Sequence, residues 1–235
     1  MPIITINGPI GAGGRRVGLE ISHRFNIDYI DRLILARAAK LIGATVQTLT
    51  DKEEAIQGTL DRLSTFFQKV LERSAMSGAG GEPYFGPGIE VIFSKDYYAE
   101  LDGPVTNPLE VTDQKFIEVT AQVITDIGND GNVVIVGRGG NLILADDPTV
   151  LNVGVIAPIE QRIEAIQKRE HLNHHQARDF VETHEAARIH YFNKAFRVHP
   201  NDPALYHVII NLEHVTTSGA VEIVAQTLKD IESKF

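Results

Sequence analysis

Between residues 8 and 16 the chain reads Gly8-Pro9-Ile10-Gly11-Ala12-Gly13-Gly14-Arg15-Arg16. Glycines at that density let successive backbone N–H groups close around one point, and an anion is what such a concavity accepts. A helix starting directly behind them adds unpaired amides and a favourable dipole. The same glycines also suit a tight turn that binds nothing, so they do not decide the matter alone. The adjoining Arg15 and Arg16 favour a polyanion, because a guanidinium stays charged and can grip phosphate oxygens through two parallel donors. Six more arginines deserve the same question: Arg37, Arg138, Arg162, Arg169, Arg178 and Arg188. Arginines converging on one cleft suit phosphoryl chemistry, which is mostly positioning and positive charge. The alternative for each is a surface ion pair, and it weighs most for Arg169 and Arg178, which fall on polar helical stretches. Asp31 can touch an acceptor or simply cap a helix, with Asp28 as the fallback if the register is off by one turn.

Such a loop needs a strand before it and a helix after it. Residues 3–7 form a short β-branched run closed by Gly8-Pro9, and a helical pattern follows over 15–25. Residues 28–30 read as extended, and Asp31 can cap a helix to residue 42 with Leu33, Ile34 and Ala38 inward. Thr50, with Glu53 in the capping-box position, opens a further helix towards residue 76. Residues 77–112 collect Pro83, Pro87, Pro104 and Pro108 with Gly78, Gly80, Gly81, Gly86, Gly88 and Gly103, which marks a long loop region, functional or mobile. Its aromatics Tyr84, Phe85, Tyr97 and Tyr98 are read as anchors of that loop, with stacking on a base as the rival role. Regular alternation then resumes: helix over 113–127, strand over 132–136 ended by Gly137-Arg138-Gly139-Gly140, strand over 150–156. Helices over 158–171, with Pro158 in the first turn, and 173–194, as one helix or a pair, precede a strand over 206–211 and a helix over 218–234. Buried strands alternating with helices imply a parallel sheet covered on both faces, with ligands at the carboxyl ends of the strands.

Composition narrows the field. The chain has 235 residues, 22 Lys+Arg against 31 Asp+Glu, and a net charge of −9. That balance argues against nucleic-acid binding through phosphate neutralisation, though it says little about one cleft. Cysteine is absent, which removes disulfides, thiolate metal sites and cysteine nucleophiles. No leader and no membrane span is expected, so the reading is a cytoplasmic protein. Nine histidines include His171, His174, His175, His184 and His190 in one stretch. Their spacing matches no standard metal template, so a solvated helical face is expected and no metal ligand is assigned.

Taken in order, these segments resemble the cytidylate kinase-like family of P-loop nucleoside monophosphate kinases. Ile4-Thr5-Ile6-Asn7-Gly8-Pro9-Ile10-Gly11-Ala12-Gly13 is similar to the family's strand and Gly-Pro-x-Gly-Ala/Ser-Gly-Lys loop. Asp31 and Arg37 keep the family's six-residue separation. Gly137-Arg138 is similar to its Gly-Arg-Asp, Asp146-Asp147-Pro148 to its Pro-Asp-Ala, and Gln161-Arg162 to its Glu-Arg-Ala. Arg178-Asp179 and Arg188 fall where its arginine-rich lid would lie. The likeness covers most of the chain outside about 51–112, and it is nearest to a divergent branch with a Gly-Ser-Gly-Gly-Arg loop.

The resemblance implies a three-layer α/β P-loop NTPase-type fold with a parallel five-stranded sheet and a helical lid over about 171–200. It implies one nucleotide kinase-like domain over 1–235, with the acceptor-binding insertion at about 51–112. The implied reaction moves the ATP γ-phosphoryl to a nucleotide such as CMP or dCMP, with ATP and Mg²⁺ as cofactors. Backbone amides of Gly8, Gly11, Ala12, Gly13, Gly14 and Arg15 would hold donor phosphates. Arg15, Arg16, Arg162 and Arg188 would supply catalytic charge, and Asp31, Arg37 and Arg138 would bind the acceptor. Nucleotides are the expected partners, without nucleic acid or membrane, and oligomeric state is left open.

Three departures bear on catalysis. Gly14 stands where the loop lysine belongs, Arg15 and Arg16 stand where a hydroxyl would hold magnesium, and Gly139 replaces the carboxylate after Gly-Arg. Arg15 or Arg16 is therefore expected to replace the lysine charge. The rival readings are a catalytically impaired nucleotide-binding regulatory module and a kinase of another small hydroxylated acceptor.

Overall fold

A computed structural model of the chain describes residues 2–31 and 114–234. The helices expected over 31–42 and from residue 50, the loop region 77–112, Arg37 and the aromatics Tyr84, Phe85, Tyr97 and Tyr98 lie outside them.

Five parallel strands make one sheet: β1 (Ile3–Asn7), β2 (Asp28–Asp31), β3 (Val133–Val136), β4 (Val150–Ile156) and β5 (Val208–Asn211), in the order β2-β3-β1-β4-β5. The central strand pairs Ile3 with Val133 on one side and with Val150 on the other. All five residues of β1 and all four of β3 are buried. That burial explains their largely apolar, β-branched reading, since helices cover both faces of the sheet.

The two faces draw on alternate strand residues. Ile4, Ile6, Val134 and Val153 pack against α1 (Gly14–Phe25) and α6 (Thr217–Glu232), through Val17, Ile21, Val224 and Leu228. Ile3, Val133, Ile135 and Val150 pack against α2 (Gln114–Asp130), through Val123, Ile124 and Ile127. The sheet is thus the middle of three layers. A short α3 (Gly140–Ile143) follows β3 directly. Beyond β4, α4 (Ile159–Glu170) and α5 (His174–Phe196) pack on each other through Ile163, Ile166, Ala177 and Val181.

Local chemistry sets the boundaries. Asn26, His171 and Arg197 end α1, α4 and α5 in the left-handed conformation. The stretch after residue 173 is one helix of 23 residues, not a pair, and a reciprocal Asn173–Gln176 capping box starts it. Pro158 is the N-cap of α4 and not its first-turn residue. β5 starts at Val208 instead of residue 206, because a 3₁₀ turn over Pro203–Leu205, capped by Asp202, occupies the approach. Asp31 is the last residue of β2.

Candidate active site

The carboxyl ends of β1, β2 and β3 open on a cavity of about 690 Å³. That volume suits a nucleotide-sized ligand. Gly8 to Arg16 form one wall and Asp31, Gly137 and Arg138 another. Gln161 and Arg169 from α4, and His184, Arg188 and Tyr191 from α5, complete it. Gly8 to Gly14 all line this cavity.

The loop has the geometry of an anion cradle. Gly13, with φ 94°, is the N-cap of α1; no side chain among the described residues caps the helix and no acid lies in its first turn. Val17 N–H makes the first helical bond to the Gly13 carbonyl, at 3.1 Å. The amides before it have no acceptor within the helix, so the positive end of α1 faces the cavity. Asn7 braces the turn from below: its Oδ1 accepts from the Gly8 amide at 3.0 Å and its Nδ2 donates to Asn141 at 3.2 Å.

The eight arginines divide by partner. Arg37 lies outside the described residues. Arg162 is 9% exposed, and its Nε donates to the Ile10 carbonyl at 2.9 Å. Burial pulls its pKa below the usual guanidinium value; the Glu185 carboxylate counters that pull and the nearby Arg188 charge adds to it. Arg162 therefore supports the loop from the side of α4; it does not close over the cavity, as the resemblance implies. Arg188 donates to Glu185 at 2.8 and 3.2 Å and to Asn201. Arg138 is buried, with φ 54° between two glycines that also have positive φ. The Tyr191 hydroxyl donates to its carbonyl at 3.2 Å, and its guanidinium carbon lies 5.7 Å from the centre of that ring. Burial raises the Tyr191 pKa.

Arg15 departs from its expected role. Its Nε lies 2.9 Å from Asp31 Oδ2, which joins the residue after the loop to the end of β2. Arg16 is exposed on the cavity rim and makes no ion pair among the described residues. Arg178 bonds Glu160 at 2.6 Å outside the cavity lining, which is the surface-pair alternative. Arg169 reaches the rim but pairs with its neighbour Glu170.

His171, His174, His175 and His190 are exposed, whereas His184 is half-buried in the cavity wall. His175 pairs with Asp179 and His174 with Glu160, while His184 stacks on Phe180. Among the described residues no group of three or more metal-ligating side chains gathers. Sequence reasoning missed Asn7, Asn141, Glu185 and Tyr191. Asn7 carried a usable signal, a polar side chain ending an apolar strand just before the glycines. The other three act through residues at least 23 positions away or on the far side of a helical turn, and nothing local announced them.

A parallel sheet of this order, with a glycine loop joining its central strand to an uncapped helix, defines the class: an α/β P-loop kinase fold. The chain belongs to the cytidylate kinase-like family, whose model matches residues 3–214. That membership supports a phosphotransferase of some small substrate that uses a nucleotide. Among solved structures, an uncharacterized protein from Eubacterium ventriosum is similar in fold, with 15% identity, a TM-score of 0.63, and coverage of 97% of this chain and 99% of that one. Shikimate kinase from Bacteroides thetaiotaomicron aligns at 14% identity and a TM-score of 0.47, over 97% of this chain and 98% of that one. Shikimate kinase from Acinetobacter baumannii aligns at 13% and 0.45, over 98% and 94%. No curated protein matches the sequence. No helix among the described residues is long and apolar enough to cross a membrane.

Proposed function

We propose that the protein is a nucleoside monophosphate kinase that moves the γ-phosphoryl of ATP to a pyrimidine nucleotide such as CMP or dCMP. One observation carries this reading: the uncapped, acid-free start of α1 faces a cavity of about 690 Å³ whose opposite wall holds Arg138 and Asp31. Donor phosphates at the loop and an acceptor phosphate at Arg138 would lie across a single cleft, the arrangement that phosphoryl transfer needs. The loop amides would hold the β- and γ-phosphates. Arg16, at the rim, and Arg188, on α5, would add charge where it develops on the moving group. The acceptor's anionic group would meet Arg138, which Tyr191 steadies. In this reading residues 1–235 form one kinase domain, with α5 in the lid and about 51–112 serving the acceptor.

ATP fits the residues present, since amides and guanidinium groups answer phosphate oxygens. A protein-held magnesium does not fit them, because Arg15 and Arg16 occupy the positions that would offer hydroxyl ligands. Magnesium would arrive with the nucleotide phosphates, and no protein step is assigned to it.

The test is a coupled ADP-release assay with ATP and magnesium across nucleoside monophosphates. Transfer to CMP or dCMP above the other acceptors is expected. A flat panel sinks the nucleotide acceptor, and an extended panel of small alcohols then addresses another hydroxylated acceptor. A second reading, a binding module without turnover, is favoured by Gly14 in the lysine position and by the engagement of Arg15 with Asp31. Tight ATP binding in calorimetry with no ADP release would select it.

A further inference from the structure

Arg15 invites a role different from that of the missing lysine. It stands at the second position of α1, beside the proposed phosphate site, yet its side chain runs sideways to β2. Its Nε is 2.9 Å from Asp31 Oδ2, with the Asp31 side chain 4% exposed and that of Arg15 40%. The Tyr29 hydroxyl approaches the same Asp31 oxygen, at 3.5 Å. Burial, followed by the Asp31 charge, pushes the Tyr29 pKa up. Three residues from two elements thus share one polar contact at the cavity wall.

The approach of those elements is built in. Gly18 lies one turn beyond Arg15, and a Cβ there would fall 3.0 Å from Tyr29 Cε2 and 2.9 Å from Val136 Cγ2. A larger residue would lift α1 off β2 and withdraw Arg15 from Asp31. The closeness of α1 to β2 and β3 is therefore matched to the reach of this guanidinium.

Electrostatics favour keeping the contact. Swinging Arg15 to the donor phosphates would withdraw a cation from a carboxylate that is almost wholly buried, an expensive exchange. The loop amides and Arg16 can serve an anion without that loss. We propose that Arg15 is a positioning residue of the acceptor side: it fixes the Asp31 carboxylate at the end of β2 and ties acceptor placement to the helix behind the phosphate loop.

This inference rests on the nucleotide-kinase reading, and the test separates the two. Arg15→Ala, Arg15→Lys, Asp31→Asn and the Arg15→Ala/Asp31→Asn double variant of the full chain are compared with the parent. ATP affinity is measured by calorimetry, and acceptor KM and kcat with CMP by ADP release. Arg15→Ala should keep ATP affinity within about threefold and raise acceptor KM by about tenfold or more, since a charge-assisted contact is lost on the acceptor side only. Arg15→Lys, with charge but no fork, should fall between. The double variant should be no worse than the worse single one, because both remove one interaction. If Arg15→Ala fails to fold, Arg15→Gln takes its place in the comparison.

A tenfold loss of ATP affinity in Arg15→Ala with unchanged acceptor KM would return Arg15 to the donor site and overturn the proposal. Additive effects in the double variant would overturn it as well. A parent protein that binds ATP but transfers nothing would sink the kinase reading alone; calorimetry with ATP and with CMP on the same variants would still decide the role of Arg15. A parent that binds no ATP would remove both.

Discussion

Arg138 occupies backbone that few non-glycine residues adopt, with φ 54° between Gly137 at 88° and Gly139 at 73°. Such strain, about 1–3 kcal/mol, persists where surrounding contacts hold it, and here Tyr191 does so. The same turn accounts for the missing carboxylate of the family's Gly-Arg-Asp. A Cβ at Gly139 would lie 2.4 Å from Phe196 Cε2, at a positive φ. Gly139→Asp should therefore lower the unfolding free energy by about 2–3 kcal/mol, and Phe196→Ala in the same background should not recover the backbone part of that loss. Chemical denaturation of both variants checks this. Gly14 differs: a Cβ there meets Ile6 Cγ2 at 3.4 Å and Val155 Cβ at 3.9 Å, which is ordinary contact. Gly14→Lys should fold normally and tighten ATP binding by about tenfold, the worth of one added charge-assisted bond. Unchanged affinity in calorimetry would count against donor phosphates at this loop. Arg16→Ala should weaken ATP binding by about 1.5–3 kcal/mol if its exposed guanidinium bonds a phosphate, read in the same titration.

The α5 helix joins three jobs along its length. Its start depends on the Asn173–Gln176 capping box, its middle packs on α4 through Ala177 and Val181, and its end places Tyr191, Phe192 and Phe196 against the β3 turn. Asn173→Ala should cost about 1 kcal/mol of stability, the usual worth of an N-cap. Phe192 is 1% exposed, and Phe192→Ala should cost about 3–5 kcal/mol, because it leaves a cavity among Ile117, Tyr191 and Phe196. Thermal unfolding of the two variants should therefore separate widely. Arg178→Ala, which breaks an exposed pair with Glu160, should leave both the melting midpoint and ATP affinity where they were.

The fold brings Arg15, Arg16, Arg138, Arg169 and Arg188 to one cavity at the carboxyl ends of the strands, while the chain as a whole carries −9. Local arginines, not net charge, set the potential of that cleft. The buried phenols add a global signature. Tyr29, Tyr191 and Tyr206 all have pKa values raised above 10.0, in each case mainly by burial. A phenol kept neutral in the fold lends stability that is whole below pH 10.0, its unfolded value, and is lost as pH rises through the folded value. The contribution of these phenols should decline only on the alkaline side. Near-ultraviolet phenolate absorbance should show these three of the six tyrosines ionising late, together with unfolding. Early ionisation of all six in folded protein would contradict the burial.

The strands, the glycine loop and the order of the elements could be read directly from residue order. Each depends on neighbours in the chain: β-branched runs closed by glycine or proline, and an arginine-bearing helix behind a turn. The Asn173 cap and the single span of α5 were within the same reach, although the sequence left one helix or two open. The partner of each arginine was not. Arg15 meets Asp31, Arg162 meets the Ile10 carbonyl, Arg138 meets Tyr191 and Arg188 meets Asn201, and every one of these contacts crosses between elements. A guanidinium on a long side chain has many acceptors within reach, and only the packing of strands and helices selects among them. Residue types therefore pointed to a proposed anion site, while the partner of each of its arginines came from how α1, α4 and α5 sit against the sheet.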